Sequence, residues 1–393
     1  MMQPEEGMDR RRGINKKFAL GLLNRAAKIP FRACKKIILT SPFLKRVYFD
    51  NYASFRFRYL KIKKSLNLLK PRQVQWLTTY RCNFTCIHCE ASAGTTKVHE
   101  LTTDEAFRLI DELAEAGVRG ILLSGGELLV RKDIFLIIEH ILSRGLKYSL
   151  ASNGFLVSEF SEEFRRLKPV LYFTSIDGLE QTNDKVRGVK GAFKKCLDAV
   201  KFFESIGVEY RTINTVVLPE NIRELPELKK TIQDSGASLW RLAIPIPVGR
   251  AKENPEVSLD AEQIQYLFEF IRSASKEMKI ELSEDAGYLG CYGQELRSYP
   301  FFCKAGLTYC AIMPDGEVLG CQIAYDSSFS EGNIRTRPFR EIWRDGFSRF
   351  RKPCFETACR SCGFLEKCRG GCWGMRLGNK HCLKDVWDEQ KTD

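Results

Sequence analysis

Three cysteines lie within eight positions of the segment CNFTCIHCE at residues 82–90. They are Cys82, Cys86 and Cys89, spaced C-x3-C-x2-C, and both Phe84 and His88 lie between them. Cysteine thiolates bind zinc and iron–sulfur clusters, which usually take four ligands. The three thiols therefore predict a metal or cluster site in which one ligand position is left to something else.

A second group of cysteines lies towards the C-terminus. The 393-residue chain has fifteen cysteines, and ten of them fall between Cys291 and Cys382. A disulfide scaffold is disfavoured because such domains are usually small, because the number of cysteines is odd, and because the acidic start MMQPEEGMDR is unlike a secretory signal. We therefore expect metal or cluster ligation in a reducing, cytoplasmic compartment.

The middle of the chain alternates segments typical of strands with segments typical of helices. This pattern predicts an α/β fold with about six parallel βα units. Such sheets bind ligands beyond the carboxyl ends of their strands. Predicted strands cover 74–80, 119–127, 147–154, 170–178, 208–217 and 238–247, and predicted helices cover 102–117, 132–145, 158–167, 191–206 and 222–235.

Chemically unusual turns follow the first four of these strands. The cysteines follow the first, SGGE (124–127) the second, SNG (152–154) the third and SIDG (175–178) the fourth. Ordinary turn capping is the alternative explanation for each turn taken singly. Four such turns at the same edge of one sheet predict a single ligand-binding cleft.

The net charge of +13 is concentrated near the N-terminus, where basic and apolar residues alternate over 1–72. Helices of this kind lie on an anionic membrane surface or bind an acidic partner, or they form a helical extension packed on the main domain. No run of about 18 apolar residues occurs, so we expect no membrane-spanning helix. The remaining sequence shows no nucleic-acid-binding motif, and we expect no nucleic-acid partner.

The cysteine motif and the turns over 74–250 resemble the radical S-adenosylmethionine (radical SAM) enzymes. The resemblance implies a partial (β/α)6 TIM-like barrel. It also implies that Cys82, Cys86 and Cys89 hold a 4Fe–4S cluster whose fourth iron is chelated by SAM, so that reductive cleavage of SAM releases a 5′-deoxyadenosyl radical. The implied organisation is a basic helical extension (1–72), a radical SAM core (73–250), a bridging segment (251–302) and an auxiliary cluster domain (303–393).

The resemblance also assigns the turns to SAM. The glycine-rich motif would meet the methionyl ammonium, although Leu128 stands where the family usually has proline. The next two turns would contact the ribose and methionyl groups, a basic residue of DKVRG would face the carboxylate, and the strand TINTVV (212–217) would lie by the adenine. The residues implied are Gly125, Gly126, Glu127, Ser152, Asn153, Ser175, Asp177 and Arg187.

The C-terminal cysteines resemble the SPASM extension of these enzymes, which carries two auxiliary 4Fe–4S clusters. A zinc ribbon is the alternative, but this stretch contains only one C-x2-C pair. The fourth ligand of the first auxiliary cluster is Cys291, Cys310 or an open site. The resemblance assigns Cys303, Cys321 and Cys372 to that cluster, and Cys359, Cys362, Cys368 and Cys382 to the second.

Three hypotheses for function remain at this point. The first is an oxidoreductase or maturase that modifies a peptide or protein, fed by a low-potential electron donor such as flavodoxin or ferredoxin. Gln322 after Cys321 disfavours the sulfatase-maturing branch, where aspartate is common. The second is an enzyme acting on a small or membrane-associated molecule, such as a tetrapyrrole precursor or a lipid headgroup. The third is a non-enzymatic metal-binding scaffold.

Overall fold

The computed structural model describes residues 42–94, 98–323, 327–377, 382–384 and 386. The helices expected before residue 42 lie outside this range. In chain order the helices and strands are α1 (Pro42–Ser65), β1 (Gln73–Leu77), α2 (Thr103–Glu115), β2 (Gly120–Ser124), α3 (Ile134–Ser143), β3 (Lys147–Ala151), α4 (Ser161–Arg166), β4 (Leu171–Ser175), α5 (Glu180–Arg187), α6 (Ala192–Ser205), β5 (Tyr210–Val216), α7 (Leu225–Gln233), β6 (Leu239–Ala243), α8 (Arg250–Glu253), α9 (Ala261–Ala274), β7 (Ile280–Leu282), α10 (Gly293–Leu296), β8 (Tyr309–Ile312), β9 (Glu317–Leu319), β10 (Ser330–Asn333), α11 (Phe339–Asp345), α12 (Ser348–Arg351), α13 (Thr357–Arg360), α14 (Leu365–Cys368) and α15 (Trp373–Leu377).

The described strands form one sheet in the order β10-β9-β8-β1-β2-β3-β4-β5-β6-β7. Strands β1 to β7 are parallel neighbours in sequence order, and β8 pairs in parallel with the free side of β1. Strands β9 and β10 continue the sheet in antiparallel fashion. The predicted α/β fold with parallel βα units is confirmed, and the carboxyl ends of β1 to β4 lie along one edge.

The two faces of the sheet differ in chemistry because side chains alternate along each strand. On the helix side, Trp76, Tyr148 and Trp240 are fully buried in the main core. On the opposite face Gln75 and Phe173 stay partly exposed. This second face, the concave side of the partial barrel, is therefore not filled by the main apolar core.

The predicted bridging segment contributes secondary structure that the sequence analysis did not anticipate. Helix α9 begins at a capping box in which Asp260 and Gln263 exchange hydrogen bonds. Strand β7 then extends the parallel sheet beside β6. Arg297 holds the turn after β7 through the carbonyls of Leu282, Ser283 and Gly287.

Helix α1 packs against the C-terminal part of the chain. Ala53 and Leu60 are buried with Phe302 and Leu307 in a small apolar cluster. Lys367 of α14 forms an ion pair with Asp50 at 3.1 Å. Within the described residues, no helix combines the length and apolar character needed to cross a bilayer.

Candidate functional site

The loop after β1 carries Cys82, Cys86 and Cys89 and is called the cysteine loop. It is held by the carboxyl end of α5. The amides of Thr85 and Ile87 donate to the carbonyls of Arg187 (3.2 Å) and Val186 (3.1 Å). The last carbonyls of a helix have no partner within the helix, so the loop satisfies them and is fixed in return. Gly188 follows in the left-handed conformation, with φ of 72°.

Helix α8 clamps the same loop from the other side. The Arg250 guanidinium donates through Nε to the carbonyl of Cys86 (2.7 Å) and through Nη1 to that of Ala93 (2.9 Å). The side chain of Asn254 donates to the carbonyl of Ile87 at 3.1 Å. The sequence analysis missed both residues, and no sequence pattern marks them because the loop lies more than 150 positions away.

The glycine turn after β2 makes a close backbone approach to the cysteine loop. The Gly126 amide donates to the Thr79 carbonyl at 2.8 Å, and the Glu127 amide donates to the Arg81 carbonyl at 2.9 Å. A Cβ on Gly126 would lie 2.3 Å from the Arg81 carbonyl oxygen, so only glycine fits. A short 3-10 turn starts at fully buried Leu128, so this turn forms without the usual proline.

Glu127 joins the second and third turns. Its buried carboxylate accepts hydrogen bonds from the Leu129 amide (3.0 Å), the Ser152 hydroxyl (3.0 Å) and the Asn153 amide (2.7 Å). Burial raises the pKa of Glu127 to about 7, although these donors oppose the shift. The Asn153 side chain also donates to the side-chain oxygen of Asn83 in the cysteine loop, at 2.7 Å. Of the predicted SAM-binding residues, the structure thus brings Gly126, Glu127, Ser152 and Asn153 together beside the cysteines.

Gly125 lies in the same turn, where a Cβ would be 2.6 Å from the Thr79 carbonyl oxygen, and the other three predicted SAM-binding residues lie further along the sheet edge. Ser175 ends β4, opposite Asn214 of β5. The Arg187 guanidinium lies 2.6 Å from the fully buried Asp177 carboxylate, and its Nη1 donates to Cys86 Sγ at 3.7 Å. The charged ends of these two residues therefore face each other and the cysteine loop, and the contact of Arg187 with the SAM carboxylate stays a prediction.

The cysteine loop fits a cluster by its chemistry. Amides of Phe84 and Ala93 approach Cys82 Sγ (3.4 Å) and Cys89 Sγ (3.5 Å). Burial raises the pKa of Cys82 to about 12 and also raises that of Cys86. Buried thiols of this kind ionise at neutral pH only beside a cation, which a bound metal supplies.

The C-terminal cysteines gather into two sets. Cys321 is near enough to Cys372 and Cys303 for their charges to raise its pKa, after the larger effect of burial. The pKa of Cys368 is likewise raised, first by burial and then by Cys382 and Cys359. A cavity of about 520 Å³ has five cysteines in its wall, which is room enough for a cluster. They are Cys359, Cys362, Cys368, Cys372 and Cys382.

Two further cysteines are the candidates for the fourth ligand of the first auxiliary cluster. Cys310 is fully buried on β8, in the main core with Val74 and Ile312. The side chain of Cys291 lies outside what the structure describes. Among the described residues, no three cysteine, histidine or acidic side chains converge tightly enough to hold a single metal ion.

Comparison with known proteins places this geometry in a family. Residues 76–232 match the model of the radical SAM superfamily, and residues 303–363 match that of an iron–sulfur cluster-binding domain, SPASM. The AdoMet-dependent heme synthase of Methanosarcina barkeri is 32% identical over 327 residues, which are 76% of this chain and 90% of that protein. The chain belongs to the radical SAM superfamily. It is a radical SAM/SPASM enzyme whose cofactors are SAM and 4Fe–4S clusters.

Other similar proteins differ in what their names say they make or modify. The mycofactocin maturase MftC of Mycolicibacterium smegmatis is 29% identical over 314 residues, covering 78% of this chain and 79% of that protein. Streptococcus suis SuiB bound to S-adenosylmethionine is similar in structure, with a TM-score of 0.65, 18% identity and coverage of 92% of this chain and 84% of that one. At that identity, the likeness to SuiB shows the radical SAM/SPASM fold alone.

Proposed function

We propose that this radical SAM enzyme oxidises a carboxylate-bearing tetrapyrrole. The observation that carries the proposal is Arg241 on the concave face of the sheet. Its Nη2 lies 3.2 Å from Glu281, its guanidinium lies 5.6 Å from the centre of the Phe173 ring, and its buried Nε has no hydrogen-bond partner. A cation beside an aromatic surface suits a flat, apolar ligand that carries carboxylates.

The 32% identity to a heme synthase supports the same substrate class. Heme carries vinyl groups where its coproporphyrin precursor carries propionates. Converting a propionate into a vinyl group removes carbon dioxide, one hydrogen atom and one electron. When bound, the SAM-ligated cluster supplies the radical that removes hydrogen atoms, and auxiliary clusters can accept an electron.

The chain's own residues would bind and orient the reactants. Glu127, held by the Ser152 and Asn153 turns, would balance the SAM ammonium. Arg241 would hold a substrate carboxylate on the concave face. Cys82, Cys86 and Cys89 would hold the SAM-binding cluster, and the two C-terminal sets would hold auxiliary clusters. A low-potential donor such as flavodoxin or ferredoxin would supply electrons.

A direct test incubates the reconstituted enzyme without oxygen with SAM, dithionite and Fe-coproporphyrin III. We expect deoxyadenosine and decarboxylated porphyrin to appear together by mass spectrometry. Arg241→Gln should raise the KM for the porphyrin about ten- to a hundredfold, the usual effect of losing a charged hydrogen bond. Lys229→Gln, in the surface ion pair with Glu277, is the control and should leave KM unchanged. Deoxyadenosine without any change in the porphyrin would reject this substrate.

A peptide is the second candidate, and it is favoured by the 29% identity to a maturase. The described part of the chain before β1 is the helix α1 and contains no strand that could pair with a leader peptide. A peptide substrate would be shown by a mass change in a short peptide encoded next to this protein, incubated under the same conditions.

We also propose that α1 contacts an anionic membrane surface. Its outward face combines exposed apolar side chains with basic ones: Phe43 is 73% and Phe55 64% exposed, and Arg58 and Lys61 are exposed beside them. The helix carries seven basic residues and only one acidic residue, Asp50. Its net positive charge therefore complements anionic lipid. The basic residues are Lys45, Arg46, Arg56, Arg58, Lys61, Lys63 and Lys64.

Vesicle sedimentation tests this surface. We expect binding to phosphatidylglycerol vesicles that weakens with salt, and no binding to phosphatidylcholine vesicles. Phe43→Ser with Phe55→Ser should abolish binding, whereas Leu136→Ser with Tyr210→Ser, at sites each 54% exposed, should not. Equal binding of both variants would show that α1 is not the contact.

A further inference from the structure

Three ionisable side chains form a buried network beside one cysteine of the SAM-binding motif. Asp177 is fully buried, His88 is 8% exposed and Arg187 is 9% exposed. Arg187 Nη2 lies 2.6 Å and His88 Nε2 lies 3.3 Å from the same oxygen, Asp177 Oδ2. Arg187 Nη1 donates to Cys86 Sγ at 3.7 Å, so the chain of contacts ends on a cluster ligand.

Backbone contacts fix each charged member of the network. The amide of Val216 donates to Asp177 Oδ1 at 2.7 Å, and the amide of Asp177 donates to the Asn183 side chain at 2.9 Å. Arg187 ends α5, and its carbonyl accepts from the Thr85 amide of the cysteine loop. The guanidinium is therefore held between the carboxylate and the sulfur and has little freedom to turn away.

The network places a positive charge next to the sulfur and a negative charge behind it. Arginine is always charged in proteins, and burial opposes that charge while Asp177 raises the pKa of Arg187 above its usual range. Arg187 places its positive charge beside the Cys86 sulfur, with the Asp177 carboxylate behind it, and in a buried site such charges are weakly screened.

We propose that Arg187 and Asp177 are positioning residues that set the reduction potential of the cluster held by Cys82, Cys86 and Cys89. Hydrogen bonds to the sulfurs and nearby charge are the levers by which a protein tunes an iron–sulfur cluster. An N–H donor and positive charge at Cys86 Sγ stabilise the electron-rich reduced cluster. Asp177 aims that donor, and its own negative charge opposes reduction. This inference rests on membership of the family and is independent of the substrate.

The test measures the midpoint potential of the SAM-binding cluster in the full-length, reconstituted protein. Redox titration followed by electron paramagnetic resonance identifies this cluster by the change of its signal on adding SAM. Arg187→Gln should lower the potential, because a donor and a positive charge are lost. Asp177→Asn should raise it, because a negative charge is lost while the amide oxygen can still accept from the Arg187 guanidinium and keep it aimed at the sulfur. Arg187→Lys, which keeps the charge, should fall between wild type and Arg187→Gln.

A second buried ion pair provides the matched control. Arg131 lies 2.7 Å from Asp133 and is 4% exposed, and its other donors contact the carbonyls of Thr78 and Leu101 rather than a sulfur. Arg131→Gln and Asp133→Asn should each lower stability while leaving the potential unchanged. If Arg187→Gln loses iron, Asp177→Asn and Arg187→Lys still decide the question. Shifts of the same sign in Arg187→Gln and Asp177→Asn, or an unchanged potential at full iron content, would overturn the proposal.

Discussion

Gly126 shows how one residue type is imposed by a close approach between two turns. Its missing side chain lets the turn after β2 lie against the backbone of Arg81 and the side chain of Cys82. The neighbouring Glu127 then reaches the turn after β3 through Ser152 and Asn153. At the scale of single residues, the turns after β1, β2 and β3 are thus held together by backbone contacts and by the Glu127 carboxylate.

Gly126→Ala should destabilise the protein by roughly 1–3 kcal/mol, the usual cost of forcing an extra carbon into a packed site. It should also lower the iron retained after reconstitution, because the Arg81 backbone and the adjoining Cys82 side chain must move. Gly120→Ala, whose Cβ would meet Lys147 at an ordinary 3.4 Å, is the control. Denaturant unfolding and iron analysis check the pair, and equal stability of the two variants would contradict the argument.

The binding of SAM should depend on pH through Glu127. The pKa of its buried carboxyl is raised to about 7, so the group is largely protonated below that pH and ionised above it. If the carboxylate balances the SAM ammonium, the affinity should fall as pH drops through 7. Calorimetric titration over pH 6–8 should show a steeper slope in wild type than in Glu127→Gln. SAM's own ionisation affects both proteins equally, and parallel slopes would remove Glu127 from the site.

At the scale of elements, α5 and α8 hold the cysteine loop from two sides. Helix α5 gives its terminal carbonyls to the loop amides, and α8 gives the Arg250 guanidinium to the loop carbonyls. Hydrogen bonds from two helices therefore fix the path of the loop, which suits a ligand set that must leave one iron open.

Arg250→Ala should release this clamp. Two hydrogen bonds to the carbonyls of Cys86 and Ala93 would be lost, and we expect iron to leave the SAM-binding cluster several times faster in the presence of a chelator. Lys252→Ala, on the exposed side of the same short helix, should leave that rate at the wild-type value. Identical rates for both variants would mean that α5 alone is sufficient to hold the loop.

At the scale of the whole molecule, the C-terminal part is joined to the core through the sheet. Strand β8 pairs with β1, which precedes the first cysteine motif. The segment between Cys303 and Cys321 therefore extends the same sheet. Arg335, just after β10, binds Glu105 of α2 through two hydrogen bonds of 2.7 and 2.9 Å. The segments that carry the first motif and those that carry Cys303 and Cys321 thus adjoin strands of one connected sheet.

Iron counting tests the proposed number of clusters. Anaerobically reconstituted wild type should hold about twelve irons per chain, as three 4Fe–4S clusters require. Replacing Cys82, Cys86 and Cys89 together with alanine should leave about eight and abolish SAM cleavage. About four irons in wild type, or zinc in their place, would contradict the assignment of two auxiliary clusters.

The sequence by itself determined the motif, the alternation of strands and helices, and the family. Cysteine spacing and hydrophobic periodicity are local patterns, and the turns that follow strand ends must meet at one edge of a parallel sheet. These features needed no knowledge of which distant residues touch.

Only the tertiary structure decided where the long side chains go. Arg187 pairs with Asp177, Arg250 clamps a loop more than 150 positions away, and Cys310 is fully buried in the main core. The strand pairing of β8 with β1 was equally hidden, since it joins segments more than 200 residues apart. Such contacts depend on how the helices and strands pack, and a flexible charged side chain takes whichever partner that packing brings within reach.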